Sequence, residues 1–318
     1  MSFVQKIKDC VTWFVPYGII MRRRRMDLEN YYKTDFVEQQ LQKEQKKQEI
    51  KNYFLSLDAT SVGDPEIIEI INYLKKYRFL SIPYDFSRKY HAMDIDVFYD
   101  TRANVFYVLH KNKRLYFPRG WEIERIRAYY NGLCIEQDED SPHRYETEAF
   151  SVREGDAIVD VGAAEGIWAL DGVERAGKIY LFECTEEWIE ALRRTFEPWK
   201  EKVVIVNKFV SNTNDVKNVT LDNFFKGKRI DFIKADIEGM EIKLLEGGKD
   251  ILTSASGLKL LLCAYHAKID GTEIKKILEG NGFETEYSKG YMLFISDREL
   301  EKPYIRRGLI RAMKKEAP

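Results

Sequence analysis

Three groups of residues combine reactive side chains with a spacing that could bring them together. The first is the turn Asp160-Val-Gly-Ala-Ala-Glu-Gly166, which ends a short apolar run, and the second is Glu183, which follows the apolar residues 179–182. The third group follows two later apolar runs and comprises Asp236, Glu238 and His266. A glycine turn after a short strand, with an acid at the end of the next strand, is typical of nucleotide-binding α/β folds.

The spacing of the glycines indicates which nucleotide suits the turn. A dinucleotide site needs Gly-x-Gly-x-x-Gly, because the second glycine lets the backbone approach the pyrophosphate. Aligned on Gly162, the second glycine would fall at Ala164 and the third at Ile167, so both are missing. S-adenosyl-L-methionine carries an adenosine without a phosphate, and its ribose hydroxyls can bond to Glu183. The sequence therefore predicts S-adenosyl-L-methionine and disfavours a nicotinamide dinucleotide; the alternative is an α/β domain whose glycines only close a turn.

The predicted cofactor residues lie where parallel strands end, because open α/β sheets bind ligands at that edge. They are Asp160, Gly162, Ala163, Ala164, Gly166, Glu183, Ser211, Asp236 and Tyr145. The segments Lys208 to Ser211, Asp236 to Glu238 and Tyr265-His266 are expected at the same edge. Tyr145 belongs to the segment Ser141-Pro-His-Arg-Tyr145, which contains His143. This segment either passes near the cofactor and the acceptor or is a plain connecting loop.

His266, Asp236 and Glu238 are the candidates for the chemistry itself. Methyl transfer is an in-line displacement, and a hydroxyl acceptor gains roughly 10²–10⁴-fold from a base that removes its proton. His266 is the predicted base, because imidazole accepts a proton near neutral pH; a histidine bonded to backbone is the alternative. Asp236 and Glu238 could contact the cofactor amino group, orient His266 or help hold a divalent ion, or they could cap the next helix. We predict no metal site, since the four cysteines lack metal-ligand spacing.

Composition limits the class of protein. The chain has 318 residues, of which 44% are hydrophobic and 13% aromatic, enough for a substantial core. Lys and Arg total 51 against 52 for Asp and Glu, so the chain has no net positive charge that would attract nucleic acid. Scattered cysteines predict reduced thiols in a cytoplasmic protein. No signal peptide is expected, because charged residues interrupt the first apolar segment.

The first half of the chain predicts appendages to the core. Residues 1–60 are expected to form a helical arm, in which an apolar stripe and the run Arg22 to Arg25 suit either an anionic membrane surface or docking within a homodimer. Residues 61–140 predict an accessory α+β region with a helix starting at Asp64-Pro65, a small meander, and a helix closed by Asn131-Gly132.

Strands and helices alternate over residues 141–300, which predicts a doubly wound α/β sheet. Strands are expected at residues 203–207, 230–235 and 258–264, and a closing antiparallel hairpin at residues 283–287 and 291–295. Residues 301–318 are interpreted as a basic C-terminal tail.

Three segments resemble the FkbM family of S-adenosylmethionine-dependent O-methyltransferases. They are the turn Asp160 to Gly166, the pair Phe182-Glu183, and Ile230-Asp-Phe-Ile-Lys-Ala-Asp-Ile-Glu-Gly-Met-Glu241 followed by Leu245-Glu-Gly247. Ala164 stands where the family usually has asparagine, and Cys184 where it commonly has proline.

The resemblance implies a Rossmann-like class I methyltransferase that methylates a hydroxyl of a sugar, glycan or related small molecule, with no nucleic-acid partner. The alternatives are an RNA methyltransferase, which would need a basic, aromatic-rich face, and a non-catalytic scaffold that retains the fold.

Overall fold

The computed structural model describes residues 38–266, 270–295 and 300–315, in two compact units, Met1–Ser56 and Leu57–Pro318. In the first unit residues 38–56 form helix α1. The apolar stripe and the arginine run expected in residues 1–25 lie outside the described residues. Among the described residues, none of the helices combines the length and the apolar character needed to cross a bilayer.

The accessory region has the predicted helix and meander. Helix α2 (Pro65–Lys76) starts as expected, because the Asp64 side chain accepts a hydrogen bond from the Glu66 backbone N–H. Strands β1 (Phe98–Asp100), β2 (Val105–His110) and β3 (Lys113–Tyr116) form an antiparallel sheet. Helix α3 (Ile123–Glu136) does not stop at Asn131-Gly132 as predicted but continues to Glu136, since apolar Leu133 is buried and keeps the last turn on the core.

The second half of the chain forms a seven-stranded sheet with helices on both faces. Its strands are β4 (Ala157–Val161), β5 (Lys178–Phe182), β6 (Val203–Val206), β9 (Phe232–Ala235), β10 (Lys259–Cys263), β11 (Phe283–Tyr287) and β14 (Leu309–Lys314). Two shorter pairs lie outside this sheet: β7 (Phe209–Val210) with β8 (Asn218–Val219), and β12 (Met292–Leu293) with β13 (Ile305–Arg306).

The strand order is β6-β5-β4-β9-β10-β14-β11, in which β14 alone runs antiparallel to its neighbours. The order reverses direction at β4, which lies between β5 and β9. Ligands of doubly wound sheets bind outside the carboxyl ends of the strands at this reversal. The topology therefore confirms the predicted Rossmann-like class I arrangement and places the site at the ends of β4, β5 and β9.

The antiparallel end of the sheet differs from the prediction in its second strand. Residues 291–295 do not pair with β11; β14 does, although residues 301–318 were expected to form a tail. Strand β14 is buried, and its Leu309 and Ile310 are 0% exposed. The sequence did not predict this strand because it also contains basic residues. Arg311 is compatible with burial because its guanidinium donates to the Arg144 carbonyl at 2.6 Å.

In the described part of the chain, seven α-helices after the accessory sheet complete the layers. They are α3, α4 (Ile167–Gly172), α5 (Glu186–Thr195), α6 (Leu221–Phe224), α7 (Glu241–Glu246), α8 (Lys249–Ser254) and α9 (Asp270–Gly280). Strand β4 shows the two faces: Ile158 packs in the core cluster that contains α4 and α5 residues, and Val159 packs in the cluster of α7 and α9 residues. Burial on both faces explains why β4 is apolar almost throughout.

Candidate active site

The turn between β4 and α4 brings two strand ends into contact. Gly162 has φ of 72°, and a Cβ built on it would lie 2.0 Å from the Asp236 carbonyl oxygen. Only glycine permits both this left-handed backbone and this approach. Ala164 also has a positive φ, 45°, a conformation that is uncommon outside glycine and marks the turn as constrained.

We expect Gly162→Ala to destabilise the fold by more than Gly155→Ala does. Gly155 also has positive φ, 79°, but a Cβ there meets nothing within 4 Å, so its substitution should cost only the left-handed strain of about 1–2 kcal/mol. At Gly162 the clash with the Asp236 carbonyl adds to that strain. Urea denaturation of both variants measures the difference, and equal midpoints would contradict the close approach.

Glu183 is fixed by backbone donors at the end of β5. Its Oε1 accepts from the N–H groups of Cys184 and Thr185, both at 2.8 Å, and its Oε2 accepts from the Ala164 N–H at 2.9 Å. A carboxylate has about four acceptor positions, so three are occupied within the protein. The remaining one is available to a ligand, and the same bonds tie the glycine turn to β5.

A cavity of about 610 Å³ opens beside these residues, within the usual range for small-molecule sites. Its lining includes five predicted residues: Gly162, Ala164, Glu183, Asp236 and Glu238. It also includes Lys208, Phe209 and Ile237, which belong to the strand-end segments expected at this edge, and Trp188, which the sequence analysis did not single out. Trp188 could have been suspected from its position in the first turn of the helix that follows Glu183. Phe209 lies in the segment 208–211 that was expected at this edge, and its 51% exposure is unusual for a large apolar side chain.

Several predicted cofactor residues do not line this cavity. Asp160 is 0% exposed and pairs with Lys234, its neighbour in the sheet, with 2.9 Å between Oδ1 and Nζ. Lys234 also donates to the Gly162 carbonyl at 3.0 Å. Asp160 therefore supports the turn from below, because an unpaired buried carboxylate would be costly. Ala163, Gly166 and Ser211 likewise lie in the packing behind the cavity, where Ser211 is 5% exposed.

Asp236, at the end of β9, collects the polar groups of the site. The Tyr145 hydroxyl donates to its Oδ2 at 3.2 Å, and the Tyr265 hydroxyl donates to its Oδ1 at 3.3 Å. Burial alone would raise the pKa of Asp236, but Lys234 and two histidines, His143 and His266, hold it below its ordinary value. Asp236 therefore carries a negative charge at the cavity wall, and Tyr145 reaches the site through it.

His266 is enclosed between two carboxylates. Its Nε2 lies 3.3 Å from Asp236 Oδ1, its Nδ1 lies 3.2 Å from Glu241 Oε1, and its side chain is 6% exposed. Burial alone would lower the pKa of His266, but the hydrogen bond to Glu241 and the charge of Asp236 raise it. The sequence predicted His266 as the base and allowed Asp236 to orient it; the structure adds Glu241, which faces the ring from the start of α7.

Glu238 occupies the exposed rim of the same site. Its side chain is 92% exposed, its Oε2 lies 3.8 Å from His266 Nε2, and its φ is 53°. A left-handed backbone at a non-glycine residue is often found at functional sites. Glu238 does not cap α7, because the N-cap residue is Met240 and no side chain bonds to this end of the helix as a cap.

Two sets of donors are close enough to share a cation: Asp236, Glu241 and His266, and His143, Asp236 and Cys263. In the first set the imidazole lies between the carboxylates, with one nitrogen facing each. The charges of these groups therefore already compensate one another. We interpret the groups as a charge network and assign no metal ion to them.

One family model and several solved structures are similar to parts of this chain. A family model described as the Methyltransferase FkbM domain matches residues 186–285. No curated protein matches the sequence. The chain is similar to the solved structure of Methyltransferase FkbM from Methylobacillus flagellatus KT, with 16% identity, a TM-score of 0.42, and coverage of 60% of this chain and 54% of that one.

Two other solved structures show a comparable degree of similarity. An rRNA methylase from Streptococcus thermophilus has 15% identity and a TM-score of 0.37, over 52% of this chain and 90% of that one. The precorrin-6y C5,15-methyltransferase from Geobacter metallireducens GS-15 has 14% identity and a TM-score of 0.36, over 52% of this chain and 82% of that one. The chain spans about half the length of the FkbM structure. Residues 186–285 match the Methyltransferase FkbM domain model, and they belong to the Rossmann-like α/β sheet that surrounds the cavity.

Proposed function

We propose that this enzyme transfers a methyl group from S-adenosyl-L-methionine to a hydroxyl of a sugar, glycan or related small molecule. The observation that carries the proposal is the pair of carboxylates on one cavity wall, Glu183 at the end of β5 and Asp236 at the end of β9. Glu183 can bind a hydroxyl of the cofactor ribose, and Asp236 can accept the proton that the acceptor hydroxyl loses. When bound, the cofactor supplies an electrophilic methyl group on a sulfonium.

The cavity fits an adenosine cofactor without phosphates. Glu183 keeps one acceptor position for a ribose hydroxyl, and Phe209, Ile237 and Trp188 supply apolar surface for an aromatic base. The glycine turn, by contrast, has Ala164 and Ile167 where a dinucleotide site has its second and third glycines. Side chains at these positions oppose the close approach of a pyrophosphate.

The charge of the site favours a neutral acceptor. Asp236 and the exposed Glu238 stand beside each other at the rim, and Glu241 lies buried behind them. A cluster of carboxylates repels a polyanion such as RNA, whereas hydroxyl groups of a sugar can donate to it. This argues for a polyol acceptor over the RNA alternative.

Asp236 is the chain's best-placed acceptor for the proton of the hydroxyl. It lines the cavity, while His266 faces it from behind and keeps it oriented and ionised. Tyr145 and Tyr265 fix the same carboxylate from two further directions. In this arrangement the base stands already oriented before the acceptor binds, which favours alignment of the reacting atoms.

We expect calorimetry to show binding of S-adenosylhomocysteine, the demethylated product of the cofactor, and no micromolar binding of NAD. The reason is the combination of Glu183 with the missing dinucleotide glycines. The reverse result, tight NAD binding without S-adenosylhomocysteine binding, would refute the cofactor assignment.

Transfer of labelled methyl groups to separated cell-lysate fractions, followed by mass analysis of the labelled products, tests the acceptor class. A panel of methyl hexopyranosides and an RNA fraction should be run in parallel. Label on a sugar hydroxyl supports the proposal, and label only on RNA contradicts it. Cofactor binding with no turnover on any fraction would favour the scaffold alternative.

A further inference from the structure

A second histidine borders Asp236 and has no part in the chemistry described above. His143 is 1% exposed; its Nε2 lies 3.8 Å from Asp236 Oδ2 and 3.7 Å from Cys263 Sγ, whereas His266 faces Asp236 Oδ1. The rings of Tyr145 and Tyr265 hold it, with centroids at 5.1 and 5.3 Å. Asp236 thus lies between two imidazoles that differ in surroundings.

The far side of the His143 ring points to the protein surface. Its Nδ1 is buried and has no hydrogen-bond partner, and the nearest carboxylate oxygen is Glu136 Oε2 at 3.8 Å. Glu136 ends α3, and its side chain is 36% exposed. A buried polar atom without a partner is costly and calls for an explanation.

The surroundings of His143 are well defined. Facing it are Glu136 from α3, Lys234 and Asp236 from the end of β9, Cys263 and His266 from the end of β10, and the hydroxyl-bearing rings of Tyr145 and Tyr265. Burial lowers the pKa of His143 to about 4, with Lys234 and His266 acting in the same direction and Asp236 against it. The ring is therefore neutral at neutral pH and able to take up a proton.

We propose that His143 and Glu136 form a proton relay that carries the acceptor's proton from Asp236 to the surface. The three groups lie in a row: Asp236 at the cavity wall, the buried imidazole of His143 and the half-exposed carboxylate of Glu136. Each ring nitrogen of His143 lies 3.8 Å from the carboxylate oxygen that it faces. A movement of about 1 Å at each step would bring both pairs into hydrogen-bond range, and catalytic hydrogen bonds are often long before the substrate binds. The inference rests on the proposed function only in requiring an acceptor that loses a proton.

The relay moves one proton and leaves charge balanced. Asp236 takes the proton that the acceptor oxygen loses as its new bond to the methyl carbon forms. Asp236 then protonates His143 Nε2, and His143 releases its Nδ1 proton to ionised Glu136, which gives it to solvent. After product release the Nε2 proton of His143 passes through Asp236 to water in the open cavity, and Nδ1 regains a proton from solvent through Glu136, which restores the starting tautomer.

Glu136, at the surface end of this row, has the highest pKa of the three groups. Asp236 has a pKa below its ordinary value, and that of His143 is about 4. Partial burial, together with the charges of Asp236 and Glu165, raises the pKa of Glu136 to about 8. The transfer from His143 to Glu136 is therefore downhill, and the relay works only when Glu136 is ionised, so its capacity increases as the pH rises through about 8.

Nitrogen NMR of the full chain tests the relay without an acceptor. The chain has only four histidines, so ¹⁵N-histidine spectra with S-adenosylhomocysteine bound can be assigned by substitution. We expect neutral His143 to shift toward the Nδ1–H tautomer with a midpoint near pH 8, because ionised Glu136 attracts that proton while Asp236 already has three other donors. Glu136→Gln should abolish the transition, and Glu124→Gln, in the first turn of the same helix, should retain it.

The rate of methyl transfer supplies a second test. With whichever methyl hexopyranoside is methylated, Glu136→Gln should lower the rate about tenfold at pH 9 and remove the rise near pH 8, with S-adenosylhomocysteine affinity within twofold of the parent. A His143 tautomer that is the same in the parent and in Glu136→Gln, or an unaltered pH profile in that variant, would overturn the relay. If no sugar is methylated but the NMR transition follows Glu136, the proposed acceptor class fails and the relay stands.

Discussion

Glu183→Ala is expected to weaken binding of S-adenosylhomocysteine by roughly a hundredfold. A hydrogen bond from a ribose hydroxyl to a carboxylate contributes about 1.5–3 kcal/mol, and about 1.4 kcal/mol is tenfold in affinity. The substitution also frees the backbone N–H groups of Ala164, Cys184 and Thr185, which Glu183 now holds. Both losses act on the same wall of the cavity. Calorimetry on the purified variant measures the effect.

Glu187→Ala is the matched control for this prediction. Glu187 lies on the exposed side of the first turn of α5 and does not line the cavity, so its removal should leave affinity within threefold of the parent. If the folded Glu183→Ala variant also binds S-adenosylhomocysteine within threefold of the parent's affinity, Glu183 only stabilises the turn, and the ribose binds elsewhere.

The architecture of the second half of the chain could be predicted because its strands are short, apolar and separated by clear glycine turns. Burial on both faces of β4, β5 and β9 leaves few polar residues within them, so the first polar residue after each strand stands out. Glu183 and Asp236 were found in this way, and both line the cavity. Strand β14 was missed for the opposite reason. Its Arg311 and Lys314 made it resemble a tail, while their long side chains reach backbone carbonyls from inside the fold.

The environment of each site residue was harder to predict than its position. Asp160 and His266 both lie at strand ends, as expected, but Lys234 turns the first inward and Glu241 encloses the second. These partners come from a neighbouring strand and from the next helix. The sequence motif contains Glu241, but nothing in its spacing shows that its carboxylate meets His266 instead of solvent. Pairings of this kind depend on side-chain directions across elements, which periodicity does not reveal.

Asp236→Asn is expected to lower kcat by roughly 10²–10⁴ and to weaken cofactor binding as well. The kinetic loss is that of a base which receives a proton in the transition state. The binding loss follows because Asp236 lines the cofactor cavity and is bonded to Tyr145 and Tyr265. Titration calorimetry measures the loss of cofactor binding, and single-turnover rates with a sugar that the parent enzyme methylates measure the kinetic loss.

His266→Ala is the comparison that assigns the proton acceptor. In our proposal the ring supports Asp236, so its loss should lower kcat by roughly tenfold, the value of one hydrogen bond to a charged group, and leave cofactor affinity nearly unchanged. If His266 were itself the base, its loss would cost the full 10²–10⁴-fold expected of a base. Because its pKa is raised, the parent's rate would then increase with pH through a value above about 6.5, the ordinary histidine pKa, and this increase would disappear in the variant. A loss of activity in excess EDTA would instead assign the activation of the hydroxyl to a divalent ion. Full activity in EDTA, a large effect of Asp236→Asn and a small one of His266→Ala together identify Asp236 as the group that takes the proton.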